Sequence, residues 1–153
     1  MPAIVAAGAA FLVAVLWFDL MFDVQAAGRA GDLPDEVLTS IGTYYRRVTT
    51  EARPMGSLVS VVMLATLLAI GAEIALKGGR TWIGWVSLIV AASAIGLAVA
   101  RIVRNAQRIG RGDEPVAVRS RLARLVLADH LYCLAAMVLV VALQIAAALG
   151  VEA

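Results

Sequence analysis

The chain has 153 residues, of which 62% are hydrophobic, and its mean hydropathy is +0.91. Because an ordinary soluble domain is roughly 45–50% apolar, this composition excludes that class and predicts a single integral membrane domain over residues 1–153. The net charge of +2 indicates no particular partner, so the positions of the charges matter more than their sum.

Four apolar stretches recur along the chain, at about residues 3–22, 55–76, 82–100 and 125–149. Each is close to the roughly 20 residues that a helix needs to cross the hydrocarbon core of a bilayer. Unpaired backbone groups are costly in lipid, and this chain is too short to close a barrel, so each span is predicted to be helical. The sequence therefore predicts an all-α fold, a four-helix transmembrane bundle whose first partner is the lipid bilayer.

The segment between the first two spans is too long for a turn and predicts an amphipathic helix over about residues 34–53. Pro34 and the acids after it suit the first turn of a helix, and the helix is expected to stop before Pro54. Apolar residues recur at helical spacing, namely Val37, Leu38, Ile41, Tyr44, Tyr45 and Val48. This pattern is typical of an interfacial helix, which lies on the membrane surface or forms a lid over an internal pocket.

Basic residues are concentrated in the first and third connections. The hairpin between spans two and three, predicted at residues 77–80, carries only Lys77 and Arg80, whereas the other two connections hold Arg29, Arg46, Arg47, Arg53, Arg101, Arg104, Arg108, Arg111, Arg119, Arg121 and Arg124. The positive-inside rule then places both termini on the outer side of the plasma (cytoplasmic) membrane. No nucleic acid is expected, because no aromatic residues interleave the arginines of the third connection.

The first and third connections lie on the same side of the membrane, so polar residues at the ends of the spans on that side lie at one depth in the bilayer. Asp19 and Asp23 are four residues apart and face the same way on the first helix. A carboxylate at the bilayer edge needs water, a cation or a hydrogen-bond donor. One hypothesis is an ion-pair cluster with Arg101 or Arg104 that holds the bundle together.

The other hypothesis is a site for a hydrophobic small molecule, centred on His130. This is the only histidine, and imidazole is the side chain that changes charge near neutral pH. Asp23 or Asp129 would orient it as a base, so His130, Asp23 and Asp129 are the candidate catalytic residues. The candidate substrate-binding residues are Asp19, Tyr44, Tyr45, Arg46, Arg101, Arg104 and Asn105. A hydrogen-bonded structural histidine is the alternative.

Metal ions and cofactors are not expected. Carboxylates and a histidine are suitable metal ligands, but the chain has no Glu-x-x-His or His-x-x-x-His pair, and haem would find only His130 as a ligand. Cys133, one turn into the fourth span, is expected to pack as a small apolar residue.

The chain resembles the anthrone-oxygenase-like family of small four-helix bacterial membrane proteins. The resemblance rests on size, the four spans, a polar Asn105 shortly after the third span, and His130 opening the fourth span in ADHLYC. It implies cofactor-free oxygenation of a polycyclic phenolic substrate with His130 and Asn105 close by. The chain differs from that pattern in its acidic LWFDLMFDVQ stretch and its arginine-rich third connection.

Two functional predictions follow from these residues. The first is a membrane enzyme that acts on a hydrophobic substrate from the cytoplasmic side. The second is an accessory or assembly subunit of a larger membrane complex, or a homo-oligomer, in which small-residue helix faces pack against neighbours. Transport is a weaker hypothesis, because the middle of the membrane lacks a chain of ionisable groups.

Overall fold

The computed structural model describes residues 1–51, 53–77 and 82–150, and every regular element within them is helical. The α-helices are α1 (Pro2–Asp23), α2 (Asp35–Arg46), α3 (Arg53–Leu76), α4 (Trp82–Leu97), α5 (Val103–Arg111) and α6 (Val116–Ala148). The all-α prediction is therefore confirmed. Of the hairpin predicted at 77–80, only Lys77 belongs to the described residues.

Short helical turns of other pitch connect these helices. A 3-10 turn, Val24–Ala26, follows α1, and π-helical turns at Arg47–Glu51 and Ala98–Ile102 follow α2 and α4. The second π turn lies inside one helical stretch from Trp82 to Arg111. Such turns widen a helix locally and are frequent at functional sites.

Four helical stretches are long and apolar enough to cross a membrane: Pro2–Ala26, Pro54–Leu76, Trp82–Arg111 and Val116–Ala148. α1 packs against α3 and α6, and α4 packs against the same two helices, so the four form a closed ring. Large apolar side chains such as Trp17, Leu68 and Ile89 are exposed on its outside. The fold is compatible with a multi-pass membrane protein, whereas the kind of membrane and the orientation stay predictions.

One end of the ring carries an additional layer of helix. α6 has 33 residues, about 50 Å at 1.5 Å per residue, whereas a hydrocarbon core is about 30 Å thick. The first part of α6 (residues 116–127) packs with α5 and α2, and we call these three segments the end layer. Leu38 and Ile41 of α2 are fully buried there. The apolar face of α2 thus packs against protein, and its predicted position at a membrane surface stays a prediction.

The bounds of the predicted helix over 34–53 differ from those in the structure. α2 ends at Arg46, the π turn follows, and α3 begins at Arg53. Pro54 therefore lies in the first turn of α3, where the N–H that proline lacks has no helical acceptor. The last helix, α6, begins at Val116, before the predicted start of the fourth span at about residue 125.

Two glycines allow close approach of helices. A Cβ atom on Gly110 of α5 would lie 2.8 Å from the Arg46 backbone nitrogen and 3.1 Å from its Cα. A Cβ atom on Gly8 of α1 would overlap the hydroxyl of Thr66 on α3. These contacts fix the distance of α2 from α5, and of α1 from α3.

Several arginines of the third connection bind the end layer itself. Arg119 Nη2 donates to the Leu38 carbonyl over 3.1 Å, and Arg124 Nη1 donates to the Gly31 carbonyl over 2.8 Å. Arg108 Nη2 pairs with Glu114 at 2.6 Å. The basic residues that indicate orientation in the sequence therefore also hold α2 and the loop before it in place.

Candidate functional site

Asp23, the last residue of α1, joins three helices by hydrogen bonds. It is 0% exposed. Its Oδ1 accepts a hydrogen bond from the Tyr45 hydroxyl of α2, and its Oδ2 lies 2.6 Å from Nδ1 of His130 on α6. An ionised carboxylate only accepts hydrogen bonds, so we assign the proton between them to Nδ1. Nε2 of the neutral ring is then an acceptor.

Asp19 and Tyr44 form a second pair one helical turn before Asp23. The Tyr44 hydroxyl donates to Asp19 Oδ1 over 2.6 Å, and the Tyr44 ring stacks on Phe22 with 4.0 Å between ring centroids. Asp19 Oδ2 lies 3.7 Å from His130 Nε2, which is too long for a hydrogen bond. The imidazole therefore lies between two carboxylates, bonded to one and near the other.

The two tyrosines act as hydrogen-bond donors. Burial raises the pKa of Tyr44, and the neighbouring Asp19 charge raises it further. Burial and the Asp23 charge likewise raise the pKa of Tyr45 well above its usual value. Both phenols are consequently protonated at neutral pH and can satisfy the carboxylates of α1.

Asp129 forms a separate ion pair. Its Oδ1 accepts a hydrogen bond from Arg101 Nη2 over 2.8 Å. Of the two carboxylates predicted to orient His130, the structure places Asp23 against the imidazole and Asp129 against Arg101. The alternative prediction, in which arginines neutralise Asp19 and Asp23, also differs from the observed pairing, in which tyrosines and His130 are the partners.

Besides Arg101, three more predicted substrate-binding residues lie away from the cavity. Arg46 Nε donates to the Gly110 carbonyl over 3.0 Å, which ties α2 to α5. Arg104 is exposed and Asn105 is half-buried on α5. None of the three lines the cavity described next, so the structure does not bring them to His130.

A cavity of about 150 Å³ lies in the centre of the ring beside His130. Residues from both π turns border it, Thr49 from the first and Ala98 from the second. Polar lining residues lie toward the end layer, and the deeper part is apolar, with Leu12, Met63 and Met137. An apolar cavity of about this volume holds a benzene-sized molecule.

Sequence reasoning missed much of this lining, including Thr49, Val59 and Met63. α3 is apolar on all sides, so its pattern does not indicate which face points inward. The π turn that carries Thr49 has no recognisable sequence signature. The Thr49 hydroxyl donates to the Tyr45 carbonyl over 2.7 Å, which helps to hold Tyr45 at the cavity.

In the part of the chain that the structure describes, no group of three His, Cys, Asp or Glu side chains is arranged to hold a metal ion. Comparison with protein-family models, curated proteins and solved structures finds no match to this chain. Fold and site define a class only: a helical bundle with four apolar spans and a buried Asp–His–Tyr group beside an apolar cavity.

Proposed function

We propose that this protein is a small membrane enzyme that binds a hydrophobic molecule in the central cavity and uses His130 as the proton acceptor. One observation carries the proposal: Nδ1 of His130 is held by the buried Asp23 at 2.6 Å, while the residue itself lines the cavity. In the described part of the chain, Nε2 makes no hydrogen bond, so it is the nitrogen available to a bound molecule.

The roles of the residues follow from this geometry. A substrate O–H or activated C–H group gives its proton to Nε2, and the electron pair of the broken bond stays on the substrate. The resulting imidazolium lies between Asp23 and Asp19, whose negative charges stabilise it. Asp23 also fixes the ring and its tautomer, and Tyr45 positions Asp23. General base catalysis of this kind contributes about 10²–10⁴-fold to a rate.

Cofactor-free oxygenation, the activity that the resemblance implies, fits within this proposal. Dioxygen would be the oxidant, and the substrate anion formed by His130 would be the species that it oxidises. Asn105 does not line the cavity, so we give it no role in contacting the substrate.

The experiment begins with native mass spectrometry of the protein, extracted in mild detergent at its natural expression level. A small molecule released from the chain is identified and its turnover is measured with Asp23→Asn and the matched variant Asp129→Asn. Both changes remove one buried carboxylate charge, but only the first touches His130. We expect a loss of about 10²–10⁴-fold for Asp23→Asn and a much smaller change for Asp129→Asn.

Two results would refute the proposal. The first is full turnover by a folded His130→Gln variant. The second is release of the chain only within a larger assembly of fixed stoichiometry and without a small molecule, which would favour the accessory-subunit alternative.

We also propose that the end layer faces the cytoplasm, because most of the basic residues of the chain lie in it and beside it. In a Cys133→Ser background, cysteines are introduced at Leu149, beyond α6, or at Asp113, between α5 and α6. A membrane-impermeant maleimide applied to intact cells should label Leu149→Cys and leave Asp113→Cys unlabelled. The reverse pattern would overturn the orientation.

A further inference from the structure

The volume of the cavity suits a substrate with a single ring. Its volume of about 150 Å³ matches the apolar cavity known to hold benzene. A fused ring system has two or three such rings and exceeds this volume, so part of it would lie outside the cavity. A single-ring substrate therefore differs from the polycyclic substrate that the family resemblance implies.

The lining of the cavity favours an aromatic ring over an alkyl chain. Three sulfur-containing side chains, Met63, Cys133 and Met137, border it from α3 and α6. Sulfur makes favourable contacts with the edges of aromatic rings, at distances near 5 Å. The remaining deep positions, such as Leu12 and Ala94, are aliphatic and offer no hydrogen bond to a polar ring substituent.

The polar end of the cavity fits one neutral hydroxyl group. His130 Nε2 and Asp19 Oδ2 are 3.7 Å apart, too far to bond each other but close enough for one oxygen to lie within hydrogen-bond distance of both. A hydroxyl can donate to Asp19 and accept from a protonated Nε2, or donate to Nε2 of the neutral ring. A ligand that is already anionic when it meets the neutral imidazole is disfavoured, because the carboxylates of Asp19 and Asp23 are both near, whereas an anion formed by proton transfer to Nε2 lies beside the imidazolium formed with it.

We infer that the substrate class is a monocyclic phenol, with its ring among the sulfur side chains and its hydroxyl between His130 Nε2 and Asp19. The inference rests on the proposed function, since the phenolic proton is the one that His130 accepts. A substituent at the far side of the ring would extend toward Leu12.

The test measures binding of 4-fluorophenol by fluorine NMR, using the full chain in phosphatidylcholine nanodiscs and empty nanodiscs as the blank. Fluorobenzene lacks the hydroxyl, 4-fluorobenzoate is anionic, and 4-fluoro-1-naphthol has a second ring. We expect saturable binding of 4-fluorophenol and at least tenfold weaker binding of each of the other three. The cavity-filling variant Ala94→Leu should abolish the saturable signal while leaving the Asp23–His130 pair in place.

Several outcomes would overturn the inference. Equal binding of fluorobenzene would show that the hydroxyl contact contributes nothing to affinity. Equal or tighter binding of the naphthol would show that the cavity does not select for a single ring. Both results leave His130 as the proton acceptor and thus leave the proposed function standing. Absence of saturable 4-fluorophenol binding would reject the phenol class, whereas loss of the proposed function itself is shown by the turnover of His130→Gln.

Discussion

The three tyrosines of the chain form a matched set for testing how the site is held. Tyr45→Phe removes the hydroxyl that donates to the fully buried Asp23, and Tyr44→Phe removes the one that donates to Asp19. Tyr132→Phe removes a hydroxyl that pairs with Ser93 on the outside of the bundle. The three changes delete the same atom, so differences between them report the surroundings of the partner.

The expected order follows from burial. Without Tyr45, Asp23 Oδ1 is an unsatisfied buried acceptor, which costs about 1–3 kcal/mol. With about 2–4 °C of melting temperature per kcal/mol for a chain of this size, a central value of about 2 kcal/mol corresponds to a decrease of about 4–8 °C. The Asp19 side chain is 17% exposed, so water can replace the Tyr44 hydroxyl and the decrease should be below about 3 °C. Tyr132→Phe should have almost no effect.

Melting in mild detergent, followed by circular dichroism, gives these differences directly. Equal decreases for Tyr44→Phe and Tyr45→Phe would refute the argument that burial of Asp23 decides the cost. A large decrease for Tyr132→Phe would show that loss of a hydroxyl is harmful irrespective of its partner.

The remaining predictions concern packing and pH. Gly110→Ala should destabilise the fold by about 1–3 kcal/mol through overpacking. The control Gly96→Ala, with no atom within 4 Å of the added Cβ, should be neutral or stabilising. Similar melting temperatures for the two variants would contradict the close contact at Gly110. Gly8→Ala should be destabilising, and Thr66→Ala in the same chain should restore most of the loss. Finally, because the α2 tyrosines have a raised pKa in the fold, their stabilisation is present below about pH 10 and is lost as pH rises further; the decline should be shallower in the double Phe variant.

The sequence predicted four long apolar helices, and it placed the polar residues of the site at one end of the bundle. Asp19 and Asp23 are placed on one face by their spacing alone, and His130 and Tyr45 are marked by their residue types and position in the chain. Their pairing was not readable, because Asp23 and Asp129 are equivalent candidates until the rotation of α1 and α6 is known. Arg46 and Asn105 illustrate the same limit: both lie at the predicted end of the bundle, but on faces directed away from the cavity.

Composition and hydropathy by themselves determined that this chain forms helices and that four of them can cross a membrane, because the backbone must satisfy its own hydrogen bonds in lipid. Only the tertiary structure decided which faces meet. Helices that are apolar on every side bury any face at nearly equal cost, so the choice rests on local close contacts such as Gly8 with Thr66 and Gly110 with Arg46. The tertiary structure also decided the two π turns, since a change of helical pitch depends on neighbouring helices, and residues of both turns border the cavity beside His130.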